Sequence, residues 1–110
     1  MAKGDFLGEF EQLVLMAVLR LGGDAYGMTV RREIEVRAGR EVTVGAVYAT
    51  LDRLESKGYV HSKEGEATAE RGGRAKRLFE VTGAGQAALE TAVAALQRMS
   101  KGLGLAGGRA

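Results

Sequence analysis

The chain has 110 residues, 45% apolar and 27% charged, with 16 basic against 14 acidic side chains and no cysteine. This length suits one domain with one core, and the missing cysteines exclude a disulfide framework, a thiolate metal site and a cysteine nucleophile. No apolar run approaches the roughly 20 residues that span a bilayer, and Met1-Ala2-Lys3-Gly4-Asp5-Phe6 lacks the apolar stretch of a signal peptide, so a cytoplasmic protein without membrane contact is expected.

Residues 8–21 read as a first helix. Phe10, Leu13, Val14, Ala17 and Leu21 form one apolar stripe, while Leu15, Met16 and Leu19 fill other faces. A helix apolar nearly all round is covered on more than one side, and in so short a chain a second subunit over Leu15 and Leu19 is a natural cover. Gly22-Gly23-Asp24 breaks this helix. A second helix is expected over 26–38, with Met28 or Val30, Ile34 and Ala38 inward and Gly39 as its stop.

Thr43 then offers a side-chain cap, worth about 1 kcal/mol, to a third helix that is apolar at 44, 47, 51 and 54 and stops at Gly58. The 3–4–3 spacing puts these side chains on one face. The opposite face carries Gly45, Ala46, Ala49 and Arg53, with Tyr48 and Thr50 on the flanks.

Beyond Gly58 the period shortens. Residues 59–63 and 77–81 read as two strands joined by a polar, glycine-containing loop, hence an antiparallel hairpin. A two-stranded sheet is marginal alone, so Tyr59, Leu78 and Val81 are expected to pack on the helices. Thr82 caps a last helix over 83–101, where Leu89, Ala92, Leu96, Met99 and Leu103 follow a two-heptad seam flanked by Val93. The seam serves either a dimer or packing on its own domain; the dimer is preferred because the hairpin separates this helix from the first three. The expected fold is thus mainly α with a small β-hairpin: a winged helix-turn-helix over residues 1–82, then a C-terminal dimerisation helix and glycine-rich tail over 83–110.

Catalysis finds no footing in this pattern. His61 is the single histidine and has no partner or pocket in evidence, so no metal site, cofactor or enzymatic activity is expected. Gly83-Ala84-Gly85-Gln86-Ala87-Ala88 imitates a dinucleotide fingerprint, but no strand and no acidic residue follow it at the required distance.

Binding to double-stranded DNA fits better. Residues 1–60 hold eight basic and nine acidic side chains, whereas 61–110 hold eight and five, and Arg71, Arg74, Lys76 and Arg77 fall within seven residues free of acids. Such a cluster on a nearly neutral domain suits a polyanion. In a helix-turn-helix the second helix enters the major groove by its N-terminal end, which brings Thr43, Gly45, Ala46, Ala49 and Thr50 closest. Thr43, Thr50 and Arg53 are the candidate readers of bases. Tyr48 either offers its hydroxyl to a phosphate or packs its ring under the wing. Arg74, Lys76 and Arg77 near the hairpin tip are candidate phosphate or minor-groove contacts. A winged-helix adaptor for proteins and a nonspecific DNA-architectural protein are the alternatives.

The segment from Gly45 through Tyr48, Leu51 and Leu54 to Gly58 resembles the G-x-x-Y-x-x-L-x-x-L-x-x-x-G stretch of PadR-family transcriptional regulators. Tyr26-Gly27 resembles that family's Y-G pair, and residues 73–85 its wing-to-helix stretch, often G-R-x-R-K-Y-Y-x-L-T-x-x-G, with departures at Leu78 and Phe79. The likeness covers roughly residues 8–90 and its short subgroup, which has a single C-terminal helix. It implies a homodimeric repressor on a palindromic operator, associated with the nucleoid, with most of the dimer contact on the last helix. Tyr48 corresponds to the family tyrosine near the DNA backbone, and Arg74, Lys76 and Arg77 to its basic wing. An unidentified small-molecule effector between subunits is also implied for some members, although a chain without tryptophan and with 5% aromatic residues offers little for ring stacking.

Overall fold

Helix boundaries in this chain are set by short polar contacts, which fix the order of the whole. A computed structural model describes residues 6–67 and 75–105. It contains α1 (Glu9–Leu21), a 3-10 turn (Gly22–Asp24), α2 (Gly27–Ala38), α3 (Val44–Ser56), β1 (Val60–Ala67), β2 (Ala75–Val81) and α4 (Gly83–Ser100). At the head of α1 the Gly8 amide donates to Glu11 Oε1 at 2.8 Å. At the head of α2 the Thr29 hydroxyl accepts from the Tyr26 amide and donates to the Asp24 carbonyl. Thr43 Oγ1 accepts from the Ala46 amide at 3.0 Å, and Thr82 Oγ1 from the Gly85 amide at 3.0 Å. Each contact satisfies an amide that the first helical turn leaves open. Gly39 ends α2 in the left-handed region, at φ 65°.

The strands pair antiparallel, with Val60 opposite Val81, Ser62 opposite Phe79 and Glu64 opposite Arg77, and an irregularity between Glu64 and Ala67. The Phe79 amide donates to the Ala25 carbonyl at 2.8 Å, so the turn between α1 and α2 covers the outer edge of β2. One core gathers Val14, Leu15 and Val18 of α1, Val30 and Ile34 of α2, Val47, Leu51 and Leu54 of α3, Val60 and Phe79 of the hairpin, and Leu89 of α4. The result is a winged helix-turn-helix followed by a C-terminal helix, as the sequence predicts.

Several side chains take other places than the sequence suggests. Leu15 is fully buried inside the single chain, so it does not line a dimer interface; α2, α3 and the hairpin cover the second apolar face of α1 that a partner subunit was expected to cover. Leu89 is likewise buried in its own core. Phe79, rather than Leu78, fills the space under the hairpin, because alternate residues of a strand face opposite ways. Leu78 lies over Gly65, where an added Cβ would sit 2.7 Å from its Cδ1. In α2, Val30 is inward while Met28 and Ala38 are exposed.

Gly85 allows α4 to start where it does. A Cβ there would lie 2.1 Å from the Tyr59 carbonyl oxygen, and the Thr82 amide and hydroxyl bond the Tyr59 and Gly58 carbonyls. The glycines that imitate a nucleotide motif therefore open a helix pressed against the start of β1. Past Leu89 and the half-buried Val93, α4 leaves the core, and Leu96, Met99 and Leu103 stand exposed.

Glu11 ties α1 to α3. Its buried carboxylate accepts from the Gly8 amide and receives Lys57 Nζ at 2.9 Å and Arg53 Nε at 3.4 Å. Burial opposes its ionisation, but the Gly8 amide, Lys57 and Arg53 outweigh burial and hold its pKa below the ordinary 4.5. A depressed folded pKa contributes stability that is complete above the unfolded value and lost as pH falls through the folded one. Glu11→Gln should therefore lower stability at pH 7 by about 1–3 kcal/mol. Denaturant unfolding should show the gap from the parent closing as pH drops below about 4.5.

Candidate nucleic-acid interface

The third helix has one greasy face and one bare face. Val47, Leu51 and Leu54 are fully buried, while Thr43, Gly45, Ala46 and Ala49 are exposed at and near its N-terminal end. The Thr43 hydroxyl accepts from Ala46, so its own proton can still be donated outward. Nothing among the described residues requires Gly45 to be glycine: its φ is not positive, and of them an added Cβ would meet only the Thr43 hydroxyl oxygen, at 4.0 Å. Glycine in an exposed helix costs up to about 1 kcal/mol relative to alanine.

Thr50 requires a correction. Its side chain is 3% exposed and accepts from Arg53 Nη2 at 3.2 Å, so it does not face a groove. It lies three residues after Val47 and four before Leu54, which places it at the edge of the buried stripe rather than on the outer flank. Arg53 is more than half exposed, yet its guanidinium leans back toward Thr50 and Glu11.

Tyr48 packs against α2. Its ring lies over the start of α2, where a Cβ on Gly27 would stand 2.3 Å from the ring Cζ and 2.5 Å from the hydroxyl oxygen. Gly27 is buried by this contact, which joins the Tyr-Gly pair to the tyrosine of α3 as one packing unit.

Of the basic hairpin residues, Lys76 and Arg77 are engaged with other side chains. Arg74, with Arg71, lies outside the described residues. Lys76 and Arg77 are in β2 rather than at the tip. Lys76 Nζ sits 4.6 Å over the Tyr26 ring and 3.9 Å from Asp24. Arg77 Nη1 donates to Asp52 Oδ1 at 3.0 Å, Nη2 to Glu55, and Nε to Ser62 Oγ at 3.3 Å. The Ser62 hydroxyl, which also donates to Glu55 Oε2 at 2.8 Å, and the Arg77 charge hold Glu55 below the usual carboxylate range. Burial acts against the Arg77 charge, but Asp52 and Glu55 raise its pKa above the ordinary value. The available signal for this cluster was the acidic pair Asp52 and Glu55, three apart and so on one side of α3.

Of the residues expected at a dimer contact, Leu15 and Leu89 belong to the core. Ala92 and Val93 are half-buried, and Leu19, Leu96 and Met99 are exposed. His61 is exposed beside Glu80, with Nε2 3.2 Å from the carboxylate. Among the described residues no group of three acidic or histidine side chains could hold a metal ion, and no helix is long and apolar enough to cross a membrane.

The Gly27–Tyr48 contact makes a signed prediction. Alanine normally favours a helix over glycine by about 1 kcal/mol, but Gly27→Ala should destabilise the protein by about 1–3 kcal/mol because the ring must move. In a Tyr48→Ala background the same change should become neutral or stabilising. Thermal melts of the four variants in this cycle measure the coupling.

Comparison with known proteins places this arrangement. Residues 15–91 match the sequence model of the PadR-like transcriptional regulators. A transcriptional regulator from Clostridium thermocellum superposes with a TM-score of 0.68 at 20% identity, over 83% of this chain and 85% of that one. A PadR-family regulator from Eggerthella lenta gives 0.67 at 21% identity, over 87% and 83%. The complex structure of RosR-S1, from H. salinarum, gives 0.62 at 30% identity, over 86% and 73%. No curated protein matches the chain in sequence. The family match takes in the second half of α1, all of α2, α3 and the hairpin, and the first half of α4, and the chain belongs to the PadR-like family of transcriptional regulators.

Proposed function

We propose that this regulator is a homodimeric repressor that seats α3 in the major groove of a palindromic operator. The observation that carries the reading is the bare face of α3, and Gly45 above all. A helix that keeps a glycine where its own fold has no use for one is built for close approach by something outside the chain. The major groove, about 12 Å wide, admits a helix, and Gly45, Ala46 and Ala49 keep the backbone near the base edges. Thr43 supplies a donor at the helix start, and Arg53 a second once it turns from Thr50 and Glu11. The Tyr48 hydroxyl, Lys76 and Arg74 are proposed on the phosphate side.

The apolar exposure on α4 supports the dimer. Leu96 and Met99 are 59% and 77% exposed in the single chain, with Leu103 exposed just beyond the end of α4 and Leu19 exposed on α1. A second copy would cover them and set the two α3 helices roughly 34 Å apart. One observation favours a second reading, nonspecific DNA binding: with Thr50 buried, α3 has few groups left to read bases. Comparing the DNA upstream of the chain's own gene with a scrambled duplex separates the two.

Gly45→Leu should leave the melting temperature unchanged or higher and weaken binding to the upstream fragment by about tenfold or more, since about 1.4 kcal/mol is one decade. Unchanged affinity would move the contact off α3. Leu96→Glu should leave the single domain folded, because the residue is exposed there, and yield monomers in sedimentation that bind DNA poorly. A variant that still sediments as a dimer would move the interface away from α4.

A further inference from the structure

The geometry points to Arg77 as the residue that sets the wing against the recognition helix, not as a phosphate contact; this rests on the DNA-binding reading above. All three of its guanidinium nitrogens are engaged, although the side chain is 41% exposed. Nη1 and Nη2 reach Asp52 and Glu55 on α3, Nε reaches Ser62 on β1, and its plane lies 4.9 Å from the centre of the Phe79 ring on β2. The Ser62 hydroxyl closes the circle by donating to Glu55. One side chain thus joins both strands of the wing to the helix beneath them. Arginine suits this because its planar fork carries five donors in fixed directions.

The charge balance argues against a phosphate role. One guanidinium facing two carboxylates leaves the cluster at net −1, which disfavours an approaching phosphate. The clasp instead acts on orientation. Phe79 and its bond to Ala25 hold the base of β2, and Arg77, two residues toward the tip, holds the next turn of the strand. On the other side Lys76 is drawn onto Tyr26 and Asp24. A hairpin of two strands is marginal by itself, and these clasps fix how its strands are set against α3 and the turn after α1.

Two measurements test this. In anisotropy titrations with the upstream duplex across a range of KCl concentrations, Arg77→Gln should weaken binding by about tenfold while the salt slope stays that of the parent. A phosphate contact would instead flatten the slope by about 1. Ser62→Ala removes no charge and keeps the cations, so it should weaken binding about threefold with the same slope, and Arg77→Lys should fail to restore the parent because one ammonium cannot reach three partners. In the free protein, amide hydrogen exchange of β1 and β2 should quicken in Arg77→Gln and Ser62→Ala, with α1 to α3 unchanged. A flattened slope, or unchanged exchange in both variants, overturns the assignment. If the parent shows no DNA binding, the functional reading fails, and the exchange measurement alone still decides whether Arg77 clasps the wing.

Discussion

The burial of Val47, Leu51 and Leu54 is the constraint on which the rest depends. These three side chains, all without exposure to solvent, hold α3 against α1, α2 and the hairpin. Fixing a helix along one stripe fixes its rotation, and that rotation decides which residues look outward. Gly45, Ala46 and Ala49 are presented because Val47 and Leu51 are hidden. A packing demand in the core is thereby also a statement about the surface that meets a partner.

Many charged side chains in this protein are paired with one another rather than left free. Glu11 takes Lys57 and Arg53, Asp52 and Glu55 take Arg77, Asp24 takes Lys76, and Glu80 lies beside His61 and Lys63. Exposed pairs of this kind contribute little to stability one by one. Their value here is directional: several link elements that are far apart in sequence, α1 to α3, the wing to α3 or the wing to the turn after α1. A small domain whose wing has only two strands gains its fixed shape from such ties as much as from its core.

Close approach is the other recurring theme, and glycine serves it in three different ways. Gly27 makes room for the Tyr48 ring, Gly85 for the Tyr59 carbonyl. Gly45 makes room for nothing among the described residues. The first two are explained by the fold and the third is left for function, a distinction that the residue type alone does not carry.

The order of the elements, the Thr43 and Thr82 caps and the core stripe of α3 were legible in the sequence. Helical spacing, Thr43, Thr82, Gly39 and the shift to strand period after Gly58 are local signals, and local signals fix local structure. The sequence also showed that the face of α3 opposite the stripe carries small residues. Side-chain partners were decided only by the tertiary structure. Thr50 and Leu15 were assigned outward because a helical wheel gives an angle but not how wide the covered arc is, and in the fold α2, α3 and the hairpin cover more of it than one stripe. Arg77 read as a free cation because Asp52 and Glu55 lie on another element, more than 20 residues away. Proximity between distant residues is set by packing, which is why the wing's charge could be counted in the sequence but its use could not.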